Sequence, residues 1–261
     1  MDNITKNIRI LMLILSTIYF QSISIYAFAD EYIRFVGIAD QIPYSFEENG
    51  KITGIDYDFF SEISKRLGFT ARIDLVPFIR GLNYMKNGTA DGILQIYYKK
   101  EREDYLIYSE FPIHYSSINI FVKKGSEFIY NNIEDLYGKK VGNHSGFFVS
   151  HEFMQAAKEK KILLEEARTT EMNLMKLESG RIDCFVANPD TVLFNIKKFG
   201  FTGKMVGLPT PLVPKKEVYL GLSKNGKNVK DKHDFIKSIN IVMKEIIEDG
   251  TYERILNKYL K

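Results

Sequence analysis

The side chain with the clearest capacity for chemistry is Arg102, which follows a short apolar strand predicted at residues 92–96. A guanidinium group can hold a carboxylate through two charge-assisted hydrogen bonds, and it does not lose its charge. Residues 99–104 around it form a run of charges, which by itself is typical of a solvated surface. The local sequence therefore leaves two interpretations open, an anion-binding arginine and an exposed charge cluster.

Other residue types that often serve catalysis or metal binding stand alone in this chain. Cys184, the only cysteine, lies in the apolar run 182–187 and is expected to be a small buried side chain. His144 and His151 lack the neighbouring ligands that a metal site needs. We therefore predict no catalytic residue, no metal ion and no cofactor.

The elements that must position Arg102 follow a βαβαβ pattern. Strands are predicted at 32–37, 72–76 and 92–96, and helices at 55–67 and 79–86. The first helix has Asp56 as a candidate N-cap and Gly68 at its end. This alternation of strands and helices is typical of an α/β fold.

A second alternating series follows the polar segment 123–127. Its predicted elements are helices at 133–137, 147–158 and 170–179 and strands at 140–142 and 182–187. Three prolines then interrupt regular structure, and a strand at 217–222 is predicted to return to the first half. The chain closes with an amphipathic helix at about 249–259.

This order predicts two lobes joined by two crossings, near residues 120 and 217. The predicted limits are 30–121 for the first part of lobe 1, 122–214 for lobe 2, and 215–261 for the return to lobe 1 with the C-terminal helices. Two crossings permit a hinge, and a ligand held between the lobes would stabilise their closed arrangement.

The first residues predict export. Lys6 and Arg9 precede an apolar stretch at 10–20, and the small residues of Ala27-Phe28-Ala29 predict removal of a signal peptide, 1–29, after Ala29. No cysteine stands at that site to carry a lipid anchor, so we expect a free periplasmic protein. The net charge of only +3 gives no indication of nucleic-acid binding.

Six segments resemble, in order, the bacterial extracellular solute-binding proteins of family 3, the periplasmic receptors that deliver polar amino acids to ABC importers. The segments are 42–56, 76–82, 90–102, 134–142, 180–188 and 249–259. The resemblance implies a two-lobed periplasmic-binding-protein-like (type II) fold with two hinge strands and a ligand cleft between the lobes.

In the first lobe, the resemblance implies that Arg102 clasps the α-carboxylate of a ligand and that Tyr44 and Phe78 form aromatic walls. Such rings suit an apolar group or an ammonium. Tyr44 could instead simply pack, and Arg80, at a helix start, could meet an anion or form a surface salt bridge. Two residues of the strand segment before Arg102, Gln95 and Tyr97, complete the predicted ligand contacts of this lobe. The family usually has a threonine where this chain has Lys99.

In the second lobe, the resemblance places Gly146 in a turn leading into a helix, where free N–H groups would receive the carboxylate. Phe147 stands where relatives often carry a small hydroxyl residue. Asn188 aligns with a residue, often aspartate, that binds the ligand's α-amino group. Asp190 could substitute for it, or could only cap a helix, and both interpretations stay open.

We therefore expect a monomeric periplasmic receptor that captures a small carboxylate-bearing, amino-acid-like ligand by hinge closure. It would deliver this ligand to an ABC transporter permease in the inner membrane. Two alternatives are an enzyme on the same fold, similar to cyclohexadienyl dehydratase, and a sensory partner that presents ligand to a membrane receptor. An enzyme would need a general acid or base, for which Glu110 and Asp190 are the candidates.

Overall fold

The structure is a computed structural model that describes residues 32–261. The predicted signal peptide and its cleavage site lie outside the described residues. Within residues 32–261, no helix is both long enough and apolar enough to cross a membrane.

The first half of the described chain forms the predicted parallel strands. They are β1 (Ile33–Ile38), β4 (Ala71–Val76) and β5 (Gly92–Tyr97), in the order β4-β1-β5. A small antiparallel hairpin of β2 (Phe46–Glu48) and β3 (Lys51–Thr53) precedes the first helix. The helices are α1 (Ile55–Leu67) and α2 (Phe78–Asn87), each ending at a glycine with positive φ. The predicted βαβαβ pattern is confirmed.

One expectation about α1 was wrong. Asp56 does not cap this helix; Gly54 occupies the N-cap position, and Asp56 lies buried in the first turn. The carboxylate of Asp56 instead bonds side chains of other elements, described below.

The second series of elements forms another part of the sheet. Its strands are β8 (Lys140–His144), β9 (Leu163–Ala167), β10 (Cys184–Ala187) and β11 (Met205–Gly207). Strands β6 (Leu106–Tyr108) and β7 (His114–Lys123) precede this series, and β12 (Val213–Ser223) follows it. Its helices are α3 (His151–Lys158), α4 (Thr170–Glu178) and α5 (Pro189–Phe199). The chain ends with α6 (Lys232–Glu248) and α7 (Thr251–Leu260).

Two long antiparallel strands, β7 and β12, join the two parts. The sheet order is β4-β1-β5-β12-β7-β10-β8-β9. Strand β7 pairs with β12 around His114–Ile118 and then with β10 at Asn119–Phe121. Both strands therefore pass from one lobe to the other, where the sequence predicts the crossings. The limits 30–121, 122–214 and 215–261 stay a prediction.

Each lobe has its own buried core. Phe35, Phe60 and Leu220 belong to the largest cluster of the first lobe, whereas Ile120 and Phe153 belong to a cluster of the second. Burying a side chain of this size stabilises a fold by about 1.5–3 kcal/mol. A smaller cluster with Tyr44, Phe46 and Tyr259 packs against Phe194 of α5, so the two lobes also share an apolar contact.

Candidate functional site

The predicted site residues follow the carboxyl ends of strands, which is where ligands bind in open α/β sheets. Tyr97 is the last residue of β5, and Asn188 directly follows β10. Tyr44 lies on the segment after β1, and Gly146 follows β8. Because β5 and β10 run in opposite directions, their carboxyl ends face each other, with Tyr97 level with His114 of β7 and Ala187 level with Asn119.

Arg102 is a buried cation without an anion beside it. It lies in a short 3-10 turn, Lys100–Arg102, and only 8% of its surface is exposed. One guanidinium nitrogen donates to the backbone oxygen of Tyr97 at 2.8 Å. No carboxylate among residues 32–261 forms an ion pair with it, whereas its exposed neighbours Lys99 and Lys100 pair with Glu101 and Glu103. The exposed-cluster interpretation fits these neighbours but not Arg102.

Phe78 lies next to this arginine. It is the first residue of α2, is half-buried, and its ring centroid lies 5.6 Å from the guanidinium carbon of Arg102. The structure thus brings together two residues that the sequence assigned separately. Arg80, two residues further on, is exposed and forms no ion pair within residues 32–261, so the predicted surface salt bridge is absent there.

The prediction that Gln95 contacts ligand requires correction. Gln95 is buried inside the first lobe, where its Oε1 accepts from the N–H of Ile38 at 2.8 Å and from the hydroxyl of Ser45 at 2.9 Å. Its Nε2 donates to Asp56 at 2.8 Å. An amide with these partners is committed to the protein interior. Tyr97, by contrast, is 44% exposed at the strand end.

Tyr44 also differs from the predicted aromatic wall at the cleft mouth. Its surface is 5% exposed, and its ring stacks on His114 with centroids 3.9 Å apart. Its hydroxyl donates to Asp190 Oδ2 at 2.7 Å and lies 3.3 Å from Asn188 Oδ1, so it reaches the second lobe. Burial, and then the nearby charge of Asp190, raises the pKa of the Tyr44 phenol well above its ordinary value.

Beneath Tyr44 lies a buried polar network that sequence reasoning missed. His114 Nδ1 lies 2.9 Å from Asp56 Oδ1, and both side chains are buried. The other oxygen of Asp56 accepts from Gln95. These three residues belong to different elements, so no local spacing pattern links them. Strand β7 contains several other polar residues, so His114 did not stand out in the sequence.

In the second lobe, the predicted anion receptor at Gly146 requires correction. Gly146 has φ 74°, as a turn requires, but its N–H donates to Glu166 Oε1 at 3.2 Å. Helix α3 begins at His151 and not at Phe147, and its N-terminus is capped by the hydroxyl of Ser150. The helix end is therefore separate from the turn, and the Gly146 amide already binds a carboxylate of the protein.

The residues after Gly146 present rings to solvent in place of hydroxyl groups. Phe147 is 46% exposed and Phe148 is 54% exposed. The backbone oxygen of Phe147 accepts from Asn143 Nδ2 at 2.8 Å, which holds this turn in place. This part of the second lobe therefore offers apolar contact area.

Asn188 and Asp190 have different tasks at the start of α5. Asn188 is the N-cap, and its Oδ1 accepts from the N–H groups of Asp190 at 2.9 Å and Thr191 at 3.2 Å. Its Nδ2 donates to the hydroxyl of Ser116 at 3.3 Å. Asp190 accepts from Tyr44 but has no cationic partner among residues 32–261.

The described chain offers no cluster of metal ligands. Within residues 32–261, no group of three or more His, Cys, Asp or Glu side chains is arranged to hold a metal ion.

Burial also determines the behaviour of Cys184. It raises the pKa of the Cys184 thiol to about 12. Because the thiolate is the reactive form, we expect no labelling of the native protein by a disulfide reagent at pH 8, and full labelling in denaturant. Absorbance of the released thiolate measures both. Rapid labelling of the native protein would show that this part of the second lobe opens or that the thiol is reactive.

Comparisons with known proteins agree with this architecture. A family model described as "Bacterial extracellular solute-binding proteins, family 3" matches residues 33–261. A probable amino-acid-binding protein, YxeM of Bacillus subtilis, is 28% identical over 233 residues, covering 88% of this chain and 84% of that protein. The L-cystine-binding protein TcyJ of Escherichia coli (strain K12) is 26% identical, covering 83% of this chain and 78% of that protein.

Solved structures show the same fold. The second substrate-binding domain of GlnP from Lactococcus lactis, in an open conformation, has a TM-score of 0.68 at 20% identity, covering 89% of this chain and 96% of that domain. An ancestral arginine-binding protein bound to arginine has a TM-score of 0.61 at 24% identity, covering 88% and 99%. Since the family model spans nearly the whole described chain, the predicted resemblance and type II fold are confirmed: this protein belongs to the bacterial extracellular solute-binding proteins of family 3.

Proposed function

We propose that this solute-binding protein captures a small amino acid, or a related organic acid, between its lobes and delivers it to an ABC importer. The relatives named above bind amino acids or cystine according to their names, which supports this class of ligand. We further propose that the mature chain begins at Asp30, acts as a monomer in the periplasm and meets a permease in the inner membrane.

The observation that carries the proposal is the state of Arg102. Burying a charge is costly unless an opposite charge or several hydrogen bonds compensate for it. Among the described residues, Arg102 has one backbone acceptor, Tyr97, and no anion. A carboxylate of the solute would supply the missing partner, and the planar guanidinium fork would fix its orientation.

The surroundings of Arg102 indicate what else the solute contacts. The ring of Phe78 lies beside the guanidinium, and Tyr97 is exposed at the end of β5. On the second lobe, Phe147 adds an exposed ring and Asp190 adds a carboxylate. We propose that these residues contact the body and the amino group of the solute, with Arg80 at the periphery.

The two long strands β7 and β12 serve as the hinge between the lobes. Strands β7 and β12 are the connections that pass between the lobes, so a change in a few of their dihedral angles can rotate one lobe against the other. A solute that contacts both lobes binds the closed form better and shifts the population toward it.

Catalysis on the same fold is not favoured. Of the candidate acids, Glu110 is exposed and Asp190 bonds to Tyr44, and no hydrogen bond among residues 32–261 joins the two carboxylates. The relatives named above are binding proteins. We therefore propose binding without covalent chemistry.

A thermal-shift screen of the chain from Asp30 tests the proposal. The panel contains the common amino acids, cystine and, for each, its decarboxylated amine as the matched control. A solute present at about 100 times its dissociation constant stabilises the folded form by about 2.7 kcal/mol, which for a protein of this size raises the Tm by roughly 5–10 °C. The amines should have no such effect.

Two outcomes would contradict the proposal. One is a panel in which no carboxylate-bearing compound raises the Tm. The other is equal stabilisation by an amino acid and its decarboxylated amine, since the carboxylate would then contribute nothing.

A further inference from the structure

Tyr44 connects the two lobes through its hydroxyl. It belongs to the segment between β1 and β2, and its hydroxyl donates to Asp190 at the start of α5 in the second lobe. Close beside it, Thr191 donates to the backbone oxygen of Ile42 at 2.7 Å. Together these contacts hold the start of α5 against the first lobe.

The ring of Tyr44 has little freedom to move. It is buried against His114, whose imidazole is in turn held by Asp56, and Asp56 is held by Gln95. A side chain stacked on an anchored ring keeps its hydroxyl in one place. The carboxylate that accepts from this hydroxyl is thereby also fixed.

The Asp190 side chain has fewer hydrogen-bond partners than the Asn188 side chain. The oxygen and the amide nitrogen of Asn188 are both used, by the N-terminus of α5 and by Ser116. Asp190 has only one of its oxygens bonded to a side chain, and within residues 32–261 it has no cation beside it. The positive end of α5 favours a carboxylate at this position. Asp190 and Arg102 thus carry opposite charges, one on each lobe, and neither forms an ion pair within residues 32–261.

We propose that Tyr44 is a positioning residue that acts across the lobes: its hydroxyl orients Asp190, so that Asp190, and not Asn188, supplies the negative charge for the solute's amino group. The part of this inference that concerns the solute's amino group rests on the proposed function. The bond between the lobes can be tested without any solute. The inference also reassigns Tyr44 from a wall of the cleft to a support behind it.

The first experiment measures the bond in the solute-free protein by a double-mutant cycle of Tyr44→Phe and Asp190→Ala. The phenylalanine keeps the ring and its stacking but removes the hydroxyl. We expect Tyr44→Phe to raise the unfolding equilibrium constant about tenfold, which is about 1.4 kcal/mol, and to have less than about a threefold effect when Asp190→Ala is already present. Urea unfolding of the four proteins gives these values.

Tyr252→Phe is the matched control, because its hydroxyl donates to the backbone oxygen of Ile113 within the first lobe, at 2.9 Å. Its effect should be the same with and without Asp190→Ala. Equal effects of Tyr44→Phe in both backgrounds would overturn the proposed bond between the lobes.

The second experiment tests the role of the charge. Each amino acid of the thermal-shift panel is paired with the same acid lacking its α-amino group, and dissociation constants are measured by calorimetry for every pair that binds. We expect the wild-type protein to prefer the amino acid at least about tenfold. Asp190→Asn should lose this preference because it binds the amino acid more weakly and the deaminated acid no more weakly. Tyr44→Phe should lower the preference about threefold, and Tyr252→Phe should leave it unchanged.

The outcomes distinguish a failure of the Asp190 assignment from a failure of the proposed function. Equal wild-type affinity for both members of each pair, or an equal loss for both in Asp190→Asn, would overturn the assignment of Asp190 and leave solute binding intact. If no acid of either kind binds, the proposed function and the charge role of Asp190 fail together. The double-mutant cycle still tests the hydrogen bond between Tyr44 and Asp190, because it requires no solute.

Discussion

Arg102→Ala is expected to weaken solute binding at least about tenfold. A hydrogen bond to a charged group contributes about 1.5–3 kcal/mol, and 1.4 kcal/mol corresponds to one decade in the dissociation constant. The substitution removes a guanidinium that is buried between the Tyr97 backbone and the Phe78 ring. Calorimetric titration with the solute identified by the screen measures the loss.

Arg102→Lys and Lys100→Ala complete this test. Lysine keeps the charge but not the planar fork, so it should recover only part of the affinity. Lys100 is the matched control, because it belongs to the same run of charges but is exposed and pairs with Glu103. We expect wild-type affinity for Lys100→Ala. Wild-type affinity for Arg102→Ala, in a protein that melts normally, would contradict the carboxylate clasp.

Gly54→Ala is expected to lower the free energy of unfolding by more than about 3 kcal/mol, because it combines steric overlap with backbone strain. Gly54 has φ 131°, which an L side chain rarely adopts. A Cβ atom there would collide with the carbonyl oxygen of Tyr44 and lie 2.9 Å from that of Pro43. Backbone atoms cannot move aside as a flexible side chain can, so the segment that carries Tyr44 would have to shift. Urea unfolding measures the effect.

Gly50→Ala is the matched control for this prediction. Gly50 also has positive φ, 73°, but a Cβ atom would meet nothing within 4 Å. Only backbone strain contributes there, so we expect the free energy of unfolding to fall by about 1–2 kcal/mol. Equal effects of the two substitutions would show that the close approach of Gly54 to Tyr44 contributes nothing to stability.

Local sequence patterns were sufficient to predict the first strands and helices of the chain. The strands β1, β4 and β5 and the helices α1 and α2 follow from apolar periodicity and from Gly68 and Gly88 at the helix ends. Each signal involves residues a few positions apart, and the chain must satisfy it whatever surrounds it. The position of Arg102 after β5 followed from the same local order.

Local patterns were not sufficient for the boundaries of α3. The sequence predicts a helix from Phe147, but the structure begins it at His151, after a turn held by Asn143 and Glu166. Glu166 lies twenty residues along the chain from Gly146. A turn stabilised by such a partner is not visible in a window of helical length.

The candidate site shows most clearly which properties follow from the sequence alone and which depend on the tertiary structure. The capacity of Arg102 to clasp a carboxylate is a property of its side chain, but the charges at 99–104 left an exposed cluster open as well, and only the resemblance of the flanking segments favoured the clasp. Only the tertiary structure decided that Gln95 serves the interior, that Tyr44 reaches Asp190, and that His114 pairs with Asp56. These contacts join residues 39, 146 and 58 positions apart, so they depend on how strands and lobes pack. Side-chain chemistry is local to a residue, whereas its partner is determined by the fold.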